Sequence, residues 1–139
     1  MTDVRTSGLP ERRYTLLLIE PHFVTRRTVV SVARSFEGMD VQEAPGIDSA
    51  AQWLTFKSFD GFVIALGDQQ EALSLISRIR SGETPSNAHA SVAVTSDHCD
   101  VDTIEKLKSL EVRRLLLKPF KVKTILETIE AFSAGPSST

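Results

Sequence analysis

The feature that most constrains this chain is an alternation repeated five times: a short apolar run, then a stretch with helical spacing. "YTLLLIE" (14–20) is a continuous apolar run bounded by charge, which suits a strand covered on both faces. "FVTRRTVVSVARSF" (23–36) then sets Phe23, Val29, Val30, Val32, Ala33 and Phe36 at helical spacings, and Gly38 ends it. Its β-branched valines argue weakly against a helix, but a strand of that length is far outside the usual range. "DVQEA" (40–44), a Pro45-Gly46 turn and a short helix around "DSAAQWLTF" follow. "FVIAL" (62–66) is the third strand, and the helix over about 70–80 puts Ala72, Leu75, Ile76 and Ile79 on one face before Gly82 and Pro85. "SVAVT" (91–95), "VDTIEKLKSL" (101–110), "RRLLLKP" (113–119) and "VKTILETIEAF" (122–132) complete the series. Apolar strands joined through helices by short connections predict a parallel sheet, because parallel neighbours need crossovers. The expected fold is α/β: a doubly wound, five-stranded parallel sheet with helices on both faces. Ligands of such sheets bind at the carboxyl ends of the strands.

Composition narrows the function classes. The 139 residues suit one domain with a real core, expected over 13–132 between flexible tails at 1–12 and 133–139. A net charge of −2 and a pI near 5.9 give no global attraction to nucleic acid or anionic membrane. The single Cys99 excludes an internal disulfide and fits a reducing compartment. The longest apolar runs are strand-sized and "MTDVRTSGLPERR" holds no secretory core, so a cytoplasmic location is expected.

Function should therefore be sought at the strand tips: Glu20-Pro21, Ala44, Ala65-Leu66, Thr95-Ser96 and Lys118-Pro119. Lys118 would aim a compact ammonium at an anion in the crevice, although a solvated lysine at a strand end is the ordinary case. Thr95 offers a hydroxyl, although a β-branched residue in a strand needs no function to explain it. Glu20 is either a cation ligand, a partner for Lys118, or a solvated acid.

Taken together, Glu20 after the first strand, Thr95 after the fourth and Lys118-Pro119 after the fifth resemble the bacterial response-regulator receiver domain. "LLLIEPHFVTRR", "AVTSDHCD" and "LLLKPF" carry the likeness, which extends over about 14–132; the lysine-proline signature is its most specific part. The resemblance implies a flavodoxin-like strand order 2-1-3-4-5. It also implies a cis Lys118–Pro119 bond, an isomer costing only about 0.5–1 kcal/mol at a proline amide.

The likeness fails where receivers do chemistry. The strand-3 position that bears their phospho-acceptor aspartate aligns with Ala65 in "FDGFVIALGD", and a methyl group cannot be a nucleophile. The second acid, used by receivers to hold magnesium, aligns with Pro21, which leaves Glu20 alone for an ion that favours octahedral oxygen ligands. The strand-5 aromatic that rotates on activation aligns with Leu115. The resemblance thus marks Glu20, Pro21, Ala65, Thr95, Leu115 and Lys118 as positions of a degenerate phospho-site, with no catalytic residue, metal or cofactor. Asp68, three residues past Ala65, is the remaining substitute acceptor. Asp60 lies at the wrong end of its strand, and Asp97 and Asp100 suit helix caps.

Other motifs are weak. His22, His89 and His98 lack metal-ligand spacing, Cys99 has no base beside it, and no glycine-rich phosphate loop occurs. Arg26-Arg27 and Arg113-Arg114 would favour an acidic protein surface if they converged at the crevice rim, but fall short of a nucleic-acid footprint. The leading expectation is a non-enzymatic, phosphorylation-independent, receiver-like signalling module. By resemblance, it would act by contact with a histidine kinase, phosphotransfer or output protein, or as a homodimer through the helix 4–strand 5–helix 5 face. Two alternatives are a small-ligand sensor using the altered, less polar crevice, and a phosphorylatable receiver using Asp68.

Overall fold

In a computed structural model, residues 13–67 and 69–133 are described. Five strands and five helices alternate: β1 (Tyr14–Ile19), α1 (Phe23–Arg34), β2 (Met39–Ala44), α2 (Ile47–Phe56), β3 (Gly61–Ala65), α3 (Gln69–Arg80), β4 (Ser91–Ser96), α4 (Val101–Ser109), β5 (Arg114–Leu117) and α5 (Val122–Ser133). All strand pairs are parallel and the order is β2-β1-β3-β4-β5, the flavodoxin-like arrangement expected. Of the expected tails 1–12 and 133–139, residues 1–12 and 134–139 lie outside the described residues, while Ser133 belongs to α5 and not to the tail.

The apolar run of β1 is explained by two-sided burial. Leu17 and Ile19 enter the core beneath α2, α3 and α4, whereas Leu16 and Leu18 enter the core beneath α1 and α5. All four are at most 1% exposed, and each such side chain stabilises the fold by roughly 1.5–3 kcal/mol. The valines of α1 serve the same end: Val29 and Val30 are buried against the sheet, so packing overrides their lower helix propensity.

Several boundaries moved. β5 runs only from Arg114 to Leu117, shorter than the apolar pattern at 113–119, although Lys118 N–H still donates to Ser96 O at 2.8 Å; the Lys118–Pro119 bond is cis. β3 begins one residue early, at Gly61, and ends at Ala65, although Leu66 N–H still donates to Thr95 O at 2.8 Å. Gly61 is needed for close approach: a Cβ there would lie 2.5 Å from Tyr14 Oη and 2.9 Å from Phe132 Cδ2.

At the amino-terminal edge of the sheet, Arg80 ties distant segments together. Its guanidinium donates to Ala88 O (2.8 Å), Ala90 O (2.7 Å), Leu110 O (2.8 Å) and Glu111 O (3.0 Å). Burial pushes its pKa below the usual arginine value, against the weaker pull of Glu111. The carbonyls stand in for a carboxylate and satisfy the cation.

Candidate functional site

Parallel winding delivers the ends of β1, β3, β4 and β5 to one edge. There Glu20, Pro21, Ala65, Thr95 and Lys118 line a single crevice of about 410 Å³. Leu115 does not join them: it faces the core beneath α2, α3 and α4, paired in register with Val94. Asp68 lies outside the described residues.

Glu20 is the hub. Its residue is 2% exposed, so its carboxylate must be partnered. Oε1 accepts from Lys118 Nζ at 3.0 Å, with a long 3.5 Å contact from Thr95 Oγ1; Oε2 accepts from His22 N–H at 3.0 Å. Lys118 is itself mostly withdrawn from water, with 24% of its side chain exposed. The main chain under the hub is held as well, by Arg26 Nη1 donating to Glu20 O at 2.8 Å. A low-dielectric pair like this costs desolvation to form, but breaking it leaves a buried charge uncompensated.

The rim is built by local capping. His22 is the N-cap of α1: its Nδ1 accepts from Thr25 N–H at 3.4 Å and lies 3.1 Å from Thr25 Oγ1. With Nδ1 as acceptor, the proton of the neutral ring sits on Nε2. On the β4–α4 loop, Ser96 Oγ donates to His98 O at 2.5 Å, and Asp100 caps α4 by accepting from Thr103 N–H at 2.8 Å. That bond holds the Asp100 carboxyl below its usual range. Thr103 Oγ1 in turn donates to Gln69 Oε1 at 3.0 Å, joining the starts of α3 and α4. Cys99 packs against the core, and burial, helped by the charge of Asp100, raises its thiol pKa.

Thr25, Gln69, Asp97 and His98 also line the crevice, and the sequence reading did not place them there. The available signal was positional, since each lies within the loop or first helical turn after a strand tip.

The basic clusters do not converge on this rim. Arg26 and Arg27 spend their charge on Glu43, at 3.2 and 2.5 Å. Arg113 donates to Ser91 Oγ at 3.2 Å, at the far edge where β4 begins. Among the described residues no group of three histidine, cysteine or acidic side chains could hold a metal, and the Glu20 carboxylate is already paired with an ammonium. Beside the crevice runs a second groove of about 390 Å³, lined by Val24, Pro119 and Phe120 and reaching Lys118. None of the helices among the described residues is long and apolar enough to cross a membrane.

Solved structures place this architecture. A response regulator from Thermotoga maritima superposes with a TM-score of 0.75 at 25% identity, covering 88% of this chain and 99% of that one. The fold is the receiver fold. A response regulator receiver protein from Pseudomonas putida superposes at 0.74 with 27% identity over 88% of this chain and 99% of its own. The signal receiver domain of an HD domain-containing protein from Pseudomonas fluorescens Pf-5 reaches 0.77 at 19% identity, covering 92% of this chain and all of that one. No protein-family model matches the sequence, and no curated protein resembles it closely enough to count as a relative. The two neighbours at 25% and 27% identity support a likeness to response-regulator receivers and suggest a two-component signalling module.

Proposed function

We propose that this chain is a receiver-like signalling module that acts by protein–protein contact and without phosphorylation. The observation that carries this reading is the crevice itself: β3 ends on the methyl of Ala65, and the ammonium of Lys118 is neutralised by Glu20 at 3.0 Å. A phospho-acceptor needs a nucleophilic oxygen at the strand-3 tip and a cation to balance the incoming charge. Here the first is missing and the second is spent. The crevice is held in one state, and information leaves through surfaces.

Two surfaces suit that role. At the start of α1, Phe23 and Val24 are 64% and 65% exposed beside the groove of Pro119 and Phe120, an apolar face for a helical kinase or phosphotransfer partner. Val101 of α4, Leu117 of β5 and Leu126 of α5 also expose apolar side chains, as a self-association or output face requires.

Affinity capture from the native host, with and without acetyl phosphate and magnesium, tests the proposal. The same partner should co-purify under both conditions, and Phe23→Asp/Val24→Asp should lose it. Capture that requires the phosphodonor overturns the reading.

A further inference from the structure

Hydrogen bonds tie α3 to α4 or its C-terminal end at both ends of the pair. At their starts Thr103 donates to Gln69 at 3.0 Å; at their finish Arg80 of α3 donates to Leu110 O and Glu111 O just past α4. Between these ties lies an open groove of about 460 Å³, walled by Gln70, Leu73, Ser74, Ser77 and Arg78 of α3 and by Lys106 of α4. Because its walls are fixed, an occupant need not order them on binding.

The lining has a definite chemistry. Arg78 and Lys106 stand on opposite walls, and neither forms an ion pair among the described residues. Ser74 and Ser77 add hydroxyls, Leu73 gives an apolar spot backed by the core, and no carboxylate of the described residues lines the groove. Among the described residues Arg13 is committed to Asp40, Arg26 and Arg27 to Glu43, and Arg80 to backbone carbonyls. Two cations that form no salt bridge among the described residues, facing each other across an apolar spot, complement a segment that carries acidic side chains on either side of an apolar one.

We propose that the α3–α4 groove is a docking site for a short acidic segment of a partner protein. Arg78 and Lys106 take its carboxylates, the serine hydroxyls bond its backbone or side chains, and Leu73 receives an apolar residue. This surface is separate from the crevice and from the α1 face, so it stands whether or not the phosphorylation-independent reading holds.

Fluorescence anisotropy with a labelled octapeptide of alternating glutamate and leucine tests it. The intact protein should bind saturably, more weakly as salt rises. Arg78→Glu/Lys106→Glu, both at exposed positions, should weaken binding by about tenfold or more, since like charges then face each other. Arg34→Glu/Lys123→Glu, an equal charge change on the opposite layer, should leave it within about twofold. A peptide with glutamine for glutamate should not bind, and inorganic phosphate should not displace the acidic probe. Absent saturable binding, equal weakening by the two double variants, equal binding of the glutamine peptide, or displacement by phosphate would each overturn the proposal.

Discussion

Lys118 and Arg80 reach into this sheet from opposite edges and are satisfied in opposite ways. At the carboxyl edge the ammonium of Lys118 meets one buried carboxylate, that of Glu20, inside an open crevice. At the amino edge the guanidinium of Arg80 meets four main-chain carbonyls from two loops. The contrast separates two uses of a cation. An ion pair neutralises a site and is broken by changing either partner; a fork of donors to carbonyls fastens chain segments and holds no charge that a ligand could compete for.

The largest effect should come from Arg80. Arg80→Ala leaves several carbonyls without their charged donor and should cost about 2–4 kcal/mol in urea unfolding. Arg80→Lys should recover only part of it, because an ammonium cannot span that fork. A loss no larger than that of an ordinary surface substitution would break the contrast.

Lys118→Met should cost less, about 2 kcal/mol, since one rim of the pair is open to water. Adding Glu20→Gln should restore part of that loss, because the stranded buried charge is then gone. Additive losses would mean that the two side chains are not coupled.

Smaller effects belong to the β4–α4 loop. Asp100 has its pKa lowered by the Thr103 N–H, so its contribution is full above the unfolded aspartate value of about 4 and disappears as pH falls through the lower folded value. Asp100→Asn should flatten that acid-side slope in a series of melting temperatures; an unchanged slope would remove the cap from the account. Smallest of all, Cys99, with its thiol pKa raised, should alkylate more slowly at mildly alkaline pH than after denaturation. Equal rates would show that the loop does not shield it.

The same contrast explains what could be read from the sequence. Lys118 stood out because its neighbours are local: three leucines before it, a proline and phenylalanine after it. The winding was legible for the same reason, as each strand and helix carries its own period. Arg80 was invisible, because its partners lie 8, 10, 30 and 31 residues away and are backbone atoms that no side-chain pattern announces. Leu115 aligned with a functional position yet packs into the core, and Arg26 and Arg27 looked like a free basic cluster until Glu43 arrived from β2. Alignment along a strand predicts register. It does not predict which side chain a neighbouring element will bring.

The central proposal is chemical: β3 ends on the methyl of Ala65 and Lys118 is already paired with Glu20, so that a phosphoryl group is proposed to find no acceptor there. Intact-mass spectrometry of the folded protein after incubation with acetyl phosphate and magnesium addresses it directly. The account predicts an unchanged mass in the protein and in Lys118→Met alike. The gain of one acid-labile phosphoryl group, mapped to any carboxylate around the crevice, would contradict it.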